Sequence, residues 1–174
     1  MTEGILIALD PGNVLTGYVV CQHDGNDIVK IIDKGKLANA KIFDVLSAYK
    51  GYDFAIEMIA GMGMAVGAEV FDTCVWIGRY WQYVAGKKLA KTMEKVYRRE
   101  EKLCICGQPT AKDANIRQAL IDRYAPGASN YGKGTKKEPG FFYGMAADAW
   151  MAFAVAVTWA DRELKGVQII AKKR

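Results

Sequence analysis

Ile5-Leu6-Ile7-Ala8-Leu9-Asp10-Pro11-Gly12-Asn13 decides how this chain is read. Five apolar residues make a run the length of a buried strand. The run ends on a lone carboxylate and then on Pro-Gly-Asn, which turns the chain. Working outward, residues 17–21 read as a second strand. His23-Asp24-Gly25-Asn26-Asp27 reads as a turn, and residues 28–32 as a third strand. Three strands joined by tight turns predict an antiparallel meander.

Residues 38–49 place Ile42, Phe43, Leu46 and Tyr49 at helical intervals. Asp53-Phe54-Ala55-Ile56-Glu57 follows as a fourth strand, expected to pair parallel to the first across that helix. Gly61, Gly63 and Gly67 mark a loop. Residues 68–85 repeat Val70, Cys74, Ile77, Trp81 and Val84 at helical spacing. Phe71 and Val75 add a second apolar flank, which suits either the core alone or a partner subunit as well. Residues 95–98 read as a short fifth strand, and residues 113–124 as a helix stopped by Pro126. Residues 127–140 read as an exposed glycine- and lysine-bearing loop, and residues 145–159 as a buried helix. This order predicts a single α/β domain over residues 1–174, with a mixed sheet and flanking helices.

Composition bounds the function. The chain has 174 residues, 51% of them hydrophobic and 25% charged, enough for an ordinary core. No apolar run approaches the roughly 18 residues of a membrane span, so no membrane partner is expected. Met1-Thr2-Glu3-Gly4 carries no basic-then-apolar leader, and a cytoplasmic location is expected. Cys21, Cys74, Cys104 and Cys106 include no Cys-x-x-Cys pair, and His23 is the only histidine. That argues against a zinc site, a disulfide scaffold and histidine-based triads.

Charge is uneven. Residues 86–137 hold thirteen Lys and Arg against five Asp and Glu, a local net charge of +8. The remainder of the chain is therefore −3 within a total of +5. Tyr97, Tyr124 and Tyr131 are interleaved with these cations. A basic segment on an acidic remainder suits a polyanion drawn toward a metal-binding pocket, or simply a solvated surface.

Three acids stand alone in apolar surroundings: Asp10 after the first strand, Glu57 at the end of the fourth, and Asp148 at the start of the last helix. Singly, each suits a local role in a turn, at a sheet edge or at a helix start. Together they suit a shared cation, because an ionised carboxylate among apolar groups is costly unless paired or metal-bound. Carboxylate-only ligation points to Mg²⁺ or Mn²⁺.

Leu9-Asp10-Pro11-Gly12-Asn13 with Thr16-Gly17-Tyr18 resembles the opening of the RuvC-type Holliday-junction resolvases of the ribonuclease H-like superfamily. Phe54-Ala55-Ile56-Glu57 is similar to that family's second acidic strand. Asp148-Ala149, running into Ala154-Val155-Ala156-Val157-Thr158, is similar to its last catalytic helix. Lys102, Cys106-Gly107 and Ala111-Lys112 resemble the segment that carries two functional lysines. Gly134-Thr135-Lys136-Lys137 and Pro139-Gly140-Phe141-Phe142-Tyr143-Gly144 give a likeness to phage-borne members, hence to a protein acting in a bacterial host cell. The resemblance spans residues 5–160.

It implies a ribonuclease H-like fold with a central mixed five-stranded sheet. It also implies a homodimer that nicks four-way or other branched DNA during recombination or phage DNA processing. Asp10, Glu57 and Asp148 would hold Mg²⁺ or Mn²⁺, two ions per site, and no nucleotide cofactor is implied. Lys112 and Lys102 would offset charge on the phosphate. Lys87, Lys88, Lys102, Lys112, Lys133, Lys136 and Lys137 would meet DNA.

Two departures stand out. The family often carries two ligands three residues apart on its last helix. Here either Met145 stands for the first and Asp148 for the second, or Asp148 stands for the first and Met151 for the second. The family's aromatic wedge falls on Ala60, which leaves Met62 or Met64 to part bases or to pack at a subunit interface. The missing fourth acid keeps open an alternative, a non-catalytic branched-DNA binder on a degraded resolvase scaffold. A nucleotide-handling actin-like domain is disfavoured, because it needs a duplicated half and no repeat is present.

Overall fold

A computed structural model describes residues 2–61, 63, 65–146 and 149–169. Met62, Met64 and Asp148 lie outside the described residues. Five strands form one sheet: β1 (Gly4–Pro11), β2 (Leu15–His23), β3 (Ile28–Ala38), β4 (Tyr52–Met58) and β5 (Ala90–Tyr97), in the order β3-β2-β1-β4-β5. β1 pairs antiparallel with β2 and parallel with β4, and β5 is parallel to β4. The mixed five-stranded sheet expected from sequence is present. Five helices surround it: α1 (Ile42–Ser47), α2 (Ala68–Gly86), α3 (Arg98–Cys106), α4 (Asp113–Tyr124) and α5 (Ala149–Trp159).

Two-residue alternation sorts the strands into two cores. Ile7, Leu9, Phe54 and Ile56 face α1 and α2, meeting Ile42, Leu46, Ile77, Tyr80 and Val84. Leu6, Ala8, Val19, Cys21 and Ala55 face α5. Ala8 and Ala55 on the sheet, with Ala152, Ala154 and Ala156 on the helix, are wholly buried. These small side chains let α5 lie close against β1 and β4. Asp10 and Glu57 continue the parity of Ala8 and Ala55, so both leave the sheet on the α5 side.

The structure departs from the sequence expectations in four places. The fifth strand starts five residues earlier than expected and is eight residues long. A third helix, α3, follows it directly where none was expected. Its N-terminus closes when Glu100 Oε2 accepts the Tyr97 backbone N–H at 2.9 Å. β3 runs to Ala38 rather than residue 32, its outer half an exposed polar edge strand. The helix expected over residues 38–49 contracts to a single 3-10 turn (Asn39–Lys41) and α1.

The 3-10 turn has a structural purpose. Asn39 is buried, and its side chain accepts the Thr16 hydroxyl at 2.7 Å and donates to the Gly12 carbonyl at 2.9 Å. Its backbone N–H reaches the Val14 carbonyl at 3.1 Å, and its own carbonyl accepts the Tyr80 hydroxyl at 3.1 Å. Gly12 N–H in turn donates to the Leu15 carbonyl at 2.9 Å, and a Cβ on Gly12 would lie 2.7 Å from that oxygen. The Asp10-Pro11-Gly12-Asn13 turn is thus clamped from the helix layer.

Asn39→Ala leaves the buried Thr16 hydroxyl with the Tyr80 hydroxyl as its remaining partner and takes the Asn39 amide from the Gly12 carbonyl, a loss of about 2–3 kcal/mol. Thermal unfolding should fall by about 4–10 °C. An unchanged midpoint would show that the turn holds without this clamp.

Candidate active site

The β1–β4 register sets Leu9 beside Ile56. The next residues along both strands are Asp10 and Glu57, which sit side by side and half-buried at the strands' C-terminal ends. Their carboxyl groups are near enough to act on one another. Burial pushes the Glu57 carboxyl far above the usual carboxylate range, and the charge of Glu101, the bond to Asp10 and the charge of Asp10 push it the same way. The Arg98 guanidinium acts in the opposite sense. Without a cation, Glu57 therefore keeps a proton at neutral pH.

Buried acids elsewhere are treated differently. Asp53, on the same strand as Glu57, takes His23 Nε2 at 3.0 Å, Thr92 Oγ1 at 2.6 Å and Lys91 Nζ at 3.1 Å. Asp161 takes both Arg123 Nη atoms at 2.7 Å, and although burial opposes it, Arg123 holds its carboxyl below the usual range. Both acids are structural and neutralised. Glu57 has the carboxyls of Asp10 and Glu101 acting on it instead, which is the mark of a site that expects a ligand.

Asp10 opens into a cavity of about 480 Å³, lined also by Gly12, Gly17, Lys36, Asp113, Arg117 and Met151. Its floor follows from strand register. Asp10 pairs with Gly17 and Gly17 with Lys36, so a residue without a side chain separates the acid from the lysine. Arg117 is held over two rings, its guanidinium 5.1 Å from each of the Tyr131 and Trp150 centroids. Its buried Nε has no partner.

Behind this wall, Glu101 of α3 is wholly buried. Its Oε2 accepts Arg98 Nη1 at 2.6 Å, and its Oε1 has no partner. Burial raises the Glu101 carboxyl above its usual range despite Arg98. Arg98 also donates to Asp113 and, through Nη2, to Met151 Sδ at 2.8 Å. Burial works against the guanidinium's charge, but Glu101, Glu57 and Asp113 outweigh it and keep it protonated.

The structure brings together Asp10 and Glu57 from the residues singled out in the sequence. It adds Lys36, Arg98, Glu101 and Arg117, which sequence reading missed. Lys112 is exposed and lines a neighbouring hollow of about 500 Å³ between α3 and α4 rather than the Asp10 cavity. Lys102 lies half-buried on α3, one residue from Glu101. Lys133 is half-buried, and Lys136 and Lys137 are exposed on the 127–140 loop. Lys87 and Lys88 precede β5, whose first residue pairs with the start of β4, whereas Glu57 is near the other end. That sets these two lysines at the far end of the sheet from the carboxylates.

Met145 is buried in the core while Met151 borders the cavity, so Met151 is the α5 methionine at the site. Among the described residues, no three His, Cys, Asp or Glu side chains converge closely enough to hold a metal. Two carboxylates suffice for Mg²⁺, which keeps several waters and binds substrate phosphates as well. The repelling Asp10–Glu57 pair and the unpartnered Glu101 oxygen fit a cation in this pocket.

No known family's sequence profile matches the chain, and no curated protein matches it in sequence. Solved structures do match. One is T. thermophilus RuvC in complex with a Holliday junction substrate, with a TM-score of 0.66 and 12% identity over 94% of this chain and 96% of that one. Another is Thermus thermophilus RuvC, with a TM-score of 0.65 and 14% identity over 93% and 96%. The likeness over nearly the whole of both chains shows that this chain has the RuvC-type, ribonuclease H-like fold.

The Glu57 carboxyl binds a proton in the folded chain at pH values where the unfolded chain has released it. In EDTA, stability should therefore fall as pH rises above the unfolded carboxylate range of about 4.3. Glu57→Gln removes that penalty and should raise the midpoint in EDTA at pH 8 by about 2–5 °C. A lower midpoint would mean that Glu57 is a structural acid.

Proposed function

We propose that this chain is a divalent-metal-dependent endonuclease that nicks four-way or otherwise branched DNA as a homodimer. The observation that carries the reading is the neighbouring placement of Asp10 and Glu57 at the ends of β1 and β4, with Asp10 opening into a cavity that Lys36 and Arg117 also line, in a RuvC-type fold. One of the matching structures is a complex with a Holliday junction, which is the substrate proposed here.

Asp10 and Glu57, with Asp148 on sequence grounds, would hold Mg²⁺ or Mn²⁺. When bound, the ion lowers the pKa of a water and draws charge from the phosphate. The chain's own groups do the rest. Hydrolysis joins water oxygen to phosphorus and breaks one P–O ester bond. The water's proton passes to a carboxylate or to solvent, and the departing oxygen leaves as a hydroxyl. Arg117 is held by its two rings, and with Lys36 it seats the phosphate from the cavity's side. Lys112 and Lys102 take flanking phosphates beside the cavity, and Lys133, Lys136 and Lys137 take the backbone further out. A non-catalytic binder is not favoured, because binding alone gives no reason to keep Glu57 pressed against Asp10 at an energetic cost.

The dimer reading rests on α2. Phe71 and Val75 lie on this helix, 62% and 59% exposed. Val75 also borders an apolar hollow with Phe43, Gly78 and Tyr83. Large apolar side chains grouped on one helix face mark a contact surface. Among the described residues no helix is long and apolar enough to cross a membrane, so this face is not a spanning one.

Asp10→Asn should abolish Mg²⁺-dependent nicking of a synthetic four-way junction while junction binding stays within about threefold. Retained cleavage would remove Asp10 from the reacting centre. Phe71→Glu should convert a dimer to a monomer in sedimentation velocity. An unchanged sedimentation coefficient would move the subunit contact off α2.

A further inference from the structure

The proposed nuclease uses Arg117 but not the exposed ring stacked on it. Tyr131 belongs to the 3-10 turn Asn130–Gly132, in the segment between α4 and α5. Its backbone is left-handed, with φ 55° and ψ 29°, and so is that of Asn130, with φ 51°. Asparagine tolerates that conformation, whereas a bulky aromatic residue adopts it at an energetic cost. Burial does not offset the cost, because Tyr131 is 57% exposed. Among the described residues its hydroxyl has no hydrogen-bond partner and its ring meets no other aromatic ring. What the ring does meet is the Arg117 guanidinium, 5.1 Å from its centroid. Strain held at an exposed aromatic residue beside a reacting centre is a reason to look for a ligand.

The backbone around Tyr131 is firmly anchored. Gly132 is buried with φ 72°, and a Cβ there would collide with Ala125. Its N–H donates to the Ser129 carbonyl at 3.1 Å, and its own carbonyl accepts the Phe142 N–H at 3.0 Å. Lys133 donates its N–H to the Asn130 carbonyl at 3.0 Å and accepts the Gly140 N–H at 3.0 Å. Phe142 is wholly buried and packs on Trp150, with ring centroids 4.6 Å apart. Trp150 is the second ring over which Arg117 lies. The turn that sets Tyr131 is therefore tied into the core that holds Arg117. Beyond it, Gly134 bridges to Pro139, and the exposed Lys136 and Lys137 lie between them.

We infer that Tyr131 is a specificity-determining residue: it stacks an unpaired base of the DNA beside the phosphate that Arg117 seats. This rests on the nuclease reading above, which supplies the DNA and the phosphate. Arg117 lines the Asp10 cavity, so it joins the ring to the reacting centre. A guanidinium over one face of a half-exposed ring leaves the other face for a second flat partner. Lys133, Lys136 and Lys137 follow closely in the chain and favour a polyanion, and the flat groups that a nucleic acid offers are its bases. In a duplex each base is covered by its neighbours in the stack, and drawing it out costs free energy. A base already unpaired at a branch is the least costly to take. Every base has a π-face, so the ring reads whether a base is free rather than which base it is. Branched DNA is thereby told from plain duplex without a sequence being read. The anchored turn holds the ring in place before DNA arrives, which lowers the ordering cost of binding.

The test removes the ring and the base separately and together. Binding is followed by fluorescence anisotropy in EDTA, so that nothing is cut. The probes are a synthetic four-way junction with unpaired nucleotides at its branch point, the same junction with those nucleotides abasic, and a plain duplex. Tyr131→Gly takes away the ring and suits the left-handed backbone, so the variant should fold with a midpoint within about 2 °C of the wild type. Loss of the bases should weaken wild-type binding by about 5- to 100-fold, and Tyr131→Gly should show the same loss on the intact branch point. Removing both should be no worse than removing either. Tyr131→Phe on the junction, and Tyr131→Gly on the duplex, should each bind within about twofold of the wild type. Undiminished binding of the branch point by Tyr131→Gly, or two losses that multiply, overturns the assignment and leaves the ring a mere cover for Arg117. Coupled losses in a chain that nicks no branched DNA with Mg²⁺ contradict the nuclease reading and leave a binder that stacks a base. A wild type that binds none of the three probes overturns both.

Discussion

The site depends on one constraint, the parallel pairing of β1 with β4. Once Leu9 lies beside Ile56, strand geometry leaves Asp10 and Glu57 no choice but to emerge as neighbours on one face. No turn or loop has to find that arrangement. Burial and the charges of Glu101 and Asp10 make the half-buried Glu57 carboxyl hold a proton rather than ionise beside Asp10. A sheet of this kind is built at a standing electrostatic cost. The reading of the chain as an enzyme rests on what would relieve it.

The rest of the molecule shows the cost to be local. Asp53 and Asp161 are buried more completely than Glu57, yet each is met by several donors. The fold is therefore able to satisfy a buried carboxylate where nothing else is asked of it. The Arg98 guanidinium, which acts on Glu57, is already committed to Glu101, Asp113 and Met151. Lys36 and Arg117 line the cavity into which Asp10 opens. Clamping of the Asp10 turn by Asn39 keeps this geometry from relaxing. Pockets whose polar groups are held apart from their natural partners are the ones that bind and react.

Much of this was legible in the sequence. An apolar run ended by a lone acid, twice, with a helical segment between, predicts parallel strands carrying adjacent carboxylates. The alternation of Ile7 and Leu9 with Leu6 and Ala8 predicts a sheet buried on both faces. What escaped is polar and long-range. α3 has no apolar stripe, because Arg-Arg-Glu-Glu-Lys opens it and its one wholly buried side chain is Glu101. A burial pattern carried by an ion pair leaves no hydrophobic period to detect. Lys36 was hidden because its neighbourhood with Asp10 runs through two strand registers and a glycine, and the strand bearing it extends past the last residue with an apolar signal. The contraction of the helix after β3 follows from Asn39, whose side chain serves the first turn from 27 residues away. Arg117 reads in sequence as one more surface charge, and only packing sets it between Tyr131 and Trp150.

The most direct measurement is the anomalous difference density of crystals grown without metal and soaked in Mn²⁺. The account predicts a peak within about 2.2 Å of carboxylate oxygens of both Asp10 and Glu57. No peak there, with the two carboxyls still in mutual contact after the soak, would contradict it.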